Sequence, residues 1–201
     1  STLFPYTTLF RSSYFFDRKR YNVGNEPSFL TPCLYHWIGR PDLTSDRVRK
    51  IISENYNDKP DGLPGNDDSG AMSSWLAFHM MGLYPNAGQS YYLMHAPLIP
   101  EWTMQLANGK SLHGTVKGKG THFEKVTLNG RLLNDARLEH ADLMKGGELV
   151  FYVSNKSIKE GNNLFPTEKQ TVSAKETNSF SVENYSKPTP SLKAAISFTL
   201  N

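Results

Sequence analysis

Two kinds of hydrophobic pattern divide the chain. Through residue 82, apolar positions recur at helical spacing; after Pro85, short apolar runs alternate with turn signals. In NEPSFLTPCLYHWIGRP (25–41), Leu30, Leu34, Trp37 and Ile38 stand at i, i+4, i+7 and i+8, which predicts one face of a helix. Pro27 suits a first helical turn, Pro32 lies early enough to be tolerated or to kink the helix, and Gly39 followed by Pro41 stops the element. DLTSDRVRKIISENY (42–56) predicts a second helix, with Thr44 or Ser45 as N-cap and Val48, Ile51 and Ile52 as its apolar stripe. GLPGNDDSG (62–70) reads as a loop. A third helix is predicted over about 70–82, with Met72, Trp75, Leu76 and Met80 inward and Gly82 as its stop.

The runs YYLMHAPLI, WTMQLANGKSL, HFEKVTLNGRLL and GGELVFYVSNK predict strands. Asn108-Gly109 and Asn129-Gly130 are strong hairpin signals, so 89–155 is expected to be antiparallel β. Residues 13–25 read as an irregular approach, and 156–201 as a polar extension with one strand-like run, Ala194–Leu200, after Pro188 and Pro190. The class is α+β, helices first and a small sheet afterwards.

Composition fits a packed domain: 38% hydrophobic, 12% aromatic and 20% charged residues over 201 positions. The net charge of +3 is spread along the chain, and Arg18-Lys19-Arg20 is too short for a nucleic-acid stripe. The single cysteine, Cys33, excludes an internal disulfide or a cysteine zinc site and reads as a small core residue. No apolar run reaches the ~18 residues of a membrane helix. The opening TLFPYTTLFRS (2–12) lacks the basic region and cleavage site of a signal peptide. It is the translation of an adapter-like DNA string, so residues 1–12 are expected to be an artefact and native protein to begin near Ser13, inside a longer, N-terminally truncated chain.

Chemistry concentrates in three carboxylates. Glu26 opens one helix after Asn25, and Asp67 and Asp68 precede another after Pro64-Gly65-Asn66. A helix N-terminus favours negative charge. An ionised carboxylate there can bind a hard cation through oxygen or accept a proton from water. Ordinary capping explains the same residues, with Asp68 or Ser69 as cap and Asp67 solvated. The six histidines show no metal-ligand spacing; His36 and His79 are expected to pack or to face solvent. No phosphate-binding loop, dinucleotide fingerprint or serine-nucleophile motif is present.

Together, Asn25-Glu26-Pro27, the Tyr35…Gly39…Pro41 helix end and Gly62-Leu63-Pro64-Gly65-Asn66-Asp67-Asp68…Gly70…Met72-Ser73…Trp75 closely resemble the C-terminal catalytic part of glycoside hydrolase family 92. The likeness runs from about Tyr21 to Tyr152. It implies a calcium-dependent, inverting exo-α-mannosidase with a β-sandwich followed by an (α/α)6 barrel. Residues 13–88 would then be the last barrel helices and 89–155 the closing β region. By resemblance Asp68 is the general base, with Asp67 and Asn66 beside it. Asn25 and Glu26 match the region of Ca²⁺ and substrate binding, and Asp68 borders it. The substrate would be terminal α-linked mannose, of α-1,2 type, on a glycan such as an N-glycan. The enzyme would be a bacterial one, secreted, periplasmic or on the cell surface. Ala71 stands where many members have Gln, Ser69 where Cys is common, and Phe29-Leu30 where some have histidines; the last change bears on linkage preference. The family's general acid is a glutamate well upstream of Asn25, and the acid in this chain's upstream stretch is Asp17. The chain is therefore expected to carry the base without the acid.

Two other readings remain. One is a carbohydrate-binding β-module using Trp102, Phe123 and Tyr152 as an aromatic platform, although core packing explains these more simply. The other is a different (α/α)6-barrel glycosidase or a phosphorylase, for which Lys59 is thin support as a phosphate-binding residue.

Overall fold

The structure, a computed structural model, describes residues 16, 21–133 and 135–156. The expectations for 1–12, for Asp17 and for 157–201 fall outside the described residues. Among the described residues, the α-helices α1, Pro41–Asn55, and α2, Ala71–Met80, precede the sheets. Asn25–Pro41 is not one α-helix. It forms two 3₁₀ segments, Glu26–Ser28 and Thr31–Ile38, with Pro27 and Pro32 each in a first turn. With three residues per turn, Cys33 and His36 share a side and are buried, while Trp37 is 41% exposed. The predicted face of Leu30, Leu34, Trp37 and Ile38 assumed the wider α period and is corrected accordingly. Gly39, at φ 71°, does end the segment.

In α1 the N-cap is Arg40, one turn earlier than expected, and Thr44 and Ser45 are buried inside the helix. They serve tertiary contacts: the Ala96 N–H donates to Ser45 Oγ at 3.0 Å, and Ser45 Oγ donates to the Pro41 carbonyl. Arg40 forks onto the buried Asp42 carboxylate with bonds of 2.9 and 2.8 Å. In α2, Met72, Trp75 and His79 are the buried face; Leu76 and Met80 are only half-buried.

Among the described residues eight strands follow: β1 Leu83–Pro85, β2 Tyr91–Met94, β3 Glu101–Gln105, β4 Ser111–Gly118, β5 His122–Leu128, β6 Arg131–Leu133, β7 Arg137–Glu139 and β8 Gly147–Ser154. A short helix, α3 (His140–Leu143), links the last two. They make a three-stranded sheet in the order β1-β2-β7 and a five-stranded sheet in the order β3-β4-β8-β5-β6. The β1–β2 hairpin straddles residue 88, so the sheets begin on its helical side. Both Asn-Gly hairpins are present. Asn129 and Gly130, at φ 51° and 80°, turn β5 into β6, and Gly109, at φ 80°, closes the β3–β4 connection. One expectation fails: β4 and β8 run parallel, with Leu112 opposite Gly147 through Gly118 opposite Val153. A parallel pair needs a long crossover. β5, β6, β7 and α3 provide it, which no local turn signal announces.

The larger core lies on this sheet, around Leu112, Val126, Leu128, Leu149 and Phe151. Trp102 covers Gly114 across the β3–β4 pair; a Cβ on Gly114 would sit 2.1 Å from the indole. Trp102 and Phe123 are buried, at 7% and 3% exposure, and therefore form no exposed sugar platform; Tyr152 is half-buried beneath Lys125. The smaller core joins the helical segments to β1 and β2 through Val23, Cys33, Ile51, Trp75, Tyr84 and Leu93.

Candidate active site

Two polar turns meet above the smaller core. The backbones of Gly24 and Gly65 pack on each other: a Cβ on Gly24 would lie 3.3 Å from the Gly65 nitrogen, and one on Gly65 would lie 3.2 Å from the Gly24 carbonyl oxygen. Gly65 is also at φ +74°, a conformation that L side chains rarely adopt. This glycine contact brings the Asn25-Glu26 turn beside the Asn66-Asp67-Asp68 turn. A second tie runs from the Trp75 indole N–H to the Phe29 carbonyl, at 3.3 Å. Tyr56 stacks on Trp75 with 5.8 Å between centroids and 5° between planes. Burial pushes the Tyr56 hydroxyl pKa up, helped by the negative charge of Asp67.

The acidic turn has an unusual backbone. Asp67, Asp68 and Ser69 have φ of 59°, 35° and 61°, and Gly70 continues at 91°. Each non-glycine residue in this left-handed region costs about 1–2 kcal/mol, with Asp among the more tolerant types. Two backbone bonds close the turn: the N–H groups of Gly70 and Ala71 both donate to the Asp67 carbonyl, at 2.8 and 2.7 Å. The Asp67 side chain then folds over the start of α2. The Ser73 N–H donates to its Oδ1 at 2.8 Å, and the Ser73 hydroxyl lies 2.9 Å from both carboxylate oxygens.

The two neighbouring aspartates therefore differ. Asp67 is half-buried and held by Ser73. Asp68 is exposed, as are Asn25, Glu26 and Asn66. Among the described residues neither Asp68 nor Glu26 takes part in a side-chain hydrogen bond or ion pair. The capping expectation is thus resolved in an unforeseen way: the N-cap position of α2 is Gly70, and Asp67, not Asp68 or Ser69, supplies the carboxylate that accepts the Ser73 N–H in its first turn. The Gly at 70 and the Ser at 73, read together with Asp67, are the signal that could have shown it.

Asn25, Glu26 and Asp68 offer only oxygen donors, the ligand type that Ca²⁺ prefers. Among the described residues no group of three or more His, Cys, Asp or Glu is gathered for a metal ion, so amide and backbone oxygens would have to complete any such shell. A cleft of about 200 Å³ lies elsewhere, lined by residues that include Asn86, Gln89, Tyr92 and His140, and none of its lining belongs to the acidic turns.

Of the two expectations for His36 and His79, packing holds, and sequence reasoning did not foresee that they gather with His95 in one buried group. His36, His79 and His95 are all inaccessible to solvent to within 1%. His79 Nδ1 lies 2.8 Å from His95 Nε2, and His95 Nδ1 lies 3.1 Å from the Ala96 carbonyl. His36 Nε2 lies 2.8 Å from the Met94 carbonyl. Burial lowers the pKa of all three, to about 4 for His36 and about 3 for His95. His79 was legible as the i+4 neighbour of Trp75 and the i+7 neighbour of Met72.

Residues 2–155 match the glycosyl hydrolase family 92 catalytic domain, and the chain belongs to that family. It is 37% identical over 145 residues to an uncharacterized secreted glycosidase of the fungus Arthroderma benhamiae, covering 69% of this chain and 19% of that protein. A family GH92 α-mannosidase of Bacteroides thetaiotaomicron, solved with mannoimidazole, superposes with a TM-score of 0.64 at 31% identity, over 68% of this chain and 18% of that one. A family GH92 inverting mannosidase of the same bacterium gives 0.59 at 31% identity, over 66% of this chain and 19% of that one. The chain spans about a fifth of the length of these relatives.

Proposed function

We propose that the full-length enzyme containing this chain hydrolyses terminal α-linked mannose with inversion, and that Asp68 is its general base. One observation carries the assignment: in a single acidic turn, Asp67 is held by Ser73 while Asp68 stands exposed and, among the described residues, unpaired. Asp68 accepts a proton from water as the water oxygen bonds to the anomeric carbon. The glycosidic bond breaks on the opposite face, and its oxygen leaves with a proton from a general acid. Inverting glycosidases separate the two carboxyl groups by ~6.5–9.5 Å to admit that water. The acid is expected from chain upstream of Asn25, so these 201 residues alone should release no mannose at an enzymic rate. The helices would complete an (α/α)6 barrel, with Asn66 and Asn25 as hydrogen-bonding partners for sugar hydroxyls.

Asn25, Glu26 and Asp68 are the residues that would hold Ca²⁺. When bound, the ion would supply positive charge beside the sugar's ring hydroxyls. The similarity to a protein named as secreted supports action outside the cytoplasm, and among the described residues no helix is long and apolar enough to cross a membrane. The substrate would be a mannose-capped glycan, α-1,2-linked in the first instance.

The test is mannose release from α-1,2-mannobiose by the full-length enzyme and its Asp68→Asn variant. Loss of about 10²–10⁴-fold in kcat supports the assignment. Unchanged turnover would move the base elsewhere, Asp67 being the first candidate. Treatment with EDTA, then Ca²⁺, should abolish and restore activity; full activity in chelator would sink the metal proposal.

A further inference from the structure

We propose that Ser73 is a positioning residue for the base: its hydroxyl, acting through Asp67, holds the left-handed turn that presents Asp68. The inference rests on Asp68 being the base, and it adds a residue that touches neither water nor sugar. Asp67, Asp68 and Ser69 occupy consecutive left-handed conformations, each unfavourable for an L side chain. Such a run persists only where its surroundings over-determine it. The determinant converges on Asp67. Its carbonyl accepts the Gly70 and Ala71 N–H groups, and its carboxylate accepts from the Ser73 backbone and meets the Ser73 hydroxyl with both oxygens.

Ser73 lies in the first turn of α2, and α2 is anchored two residues later by Trp75, which is 3% exposed and bonded to the Phe29 carbonyl. A rigid chain of contacts therefore runs from the core through Ser73 to Asp67. Asp68, the next residue, inherits its direction from that clamp. Without the hydroxyl, the Asp67 carboxylate keeps one bond, from the Ser73 N–H, and can pivot about it. The turn then has lower-energy backbone conformations available, each of which re-aims Asp68.

The experiment compares Ser73→Thr with Ser73→Val in the full-length enzyme. The two side chains have the same branched shape, and only threonine keeps the hydroxyl, so helix propensity and volume are matched. Threonine should hold kcat near the parent value. Valine should lower kcat by about 10–100-fold, the scale of a misplacement near 1 Å, with KM little changed. Amide hydrogen exchange gives a readout independent of activity. The Gly70 and Ala71 amides, which close the turn, should exchange faster in the valine variant than in the threonine variant, with Leu149 and Phe151 unchanged.

Equal kcat in the two variants overturns the proposal, as does faster exchange that Leu149 and Phe151 share, since that marks general loosening of the fold. Activity in Asp68→Asn would instead overturn the base assignment, and the exchange contrast at Gly70 and Ala71 would still report whether Ser73 holds the turn.

Discussion

The acidic turn and the β5–β6 hairpin both use positive φ, and they use it for opposite ends. In the hairpin, Asn129 and Gly130 take the two left-handed positions of a two-residue connection, and residue types and geometry agree. In the acidic turn, three consecutive non-glycine residues take such positions, against local preference. The hairpin is a solution to connecting two strands. The acidic turn is held by tertiary contacts: the Gly24–Gly65 packing, the Ser73 clamp and the Trp75 anchor. Local agreement marks scaffold here, and local conflict falls at the candidate site.

The sharpest break between the two regions is catalytic. Asp68→Asn in the full-length enzyme should cost several orders of magnitude in kcat at unchanged thermal stability, because Asn tolerates the same left-handed backbone but accepts no proton from water. The opposite pattern is expected in the sheet. Phe151, fully buried in the larger core, should cost about 3–5 kcal/mol when replaced by Ala, read by urea unfolding. A loss of under ~1 kcal/mol would show that the sheet tolerates cavities better than its packing implies.

Acid should act on the histidine layer between them. His36 and His95 have folded pKa values near 4 and 3, below the unfolded value of 6.5. A lowered histidine pKa means that the unfolded chain binds the extra proton first. The stability is therefore fully present above about pH 6.5 and is lost as pH falls through 6 and 5 toward the folded values. Thermal midpoints measured from pH 7.5 to 4.5 check this, and a flat profile down to pH 4.5 would mean that the histidines do not stay neutral in the fold.

Gly130→Ala, at φ +80° with open space around its Cβ position, should cost only about 1–2 kcal/mol and leave kcat unchanged. The smallest effect is expected from deleting residues 2–12. The family match runs across that segment, so the deletion is informative: an unchanged thermal midpoint supports an artefact, and a cooperative loss of stability shows that it packs.

Legibility followed the same division. The β3 and β4 strands, both Asn-Gly turns and the stop at Gly82 could be read because short-range chemistry decides them. The β4–β8 parallel pair could not, because its partners come together only through an intervening crossover. The 3₁₀ form of Thr31–Ile38 was hidden because Leu30, Leu34, Trp37 and Ile38 happen to satisfy the α period, while burial selects Cys33 and His36. At the site, residue types were legible through family likeness. The Asp67–Ser73 bond was not, since nothing local tells which of two adjacent aspartates will find Ser73.

The Gly24–Gly65 contact also carries an entropic cost. It joins segments about forty residues apart, and the closure of that loop is offset by the Val23–Ile51–Trp75 core beneath it. The juxtaposition of Asn25-Glu26 with Asp67-Asp68 thus depends on long-range packing and not on either segment alone. Nascent or misfolded chains have both acidic segments without bringing them together, so any shell of oxygen atoms drawn from both turns exists only in the finished fold.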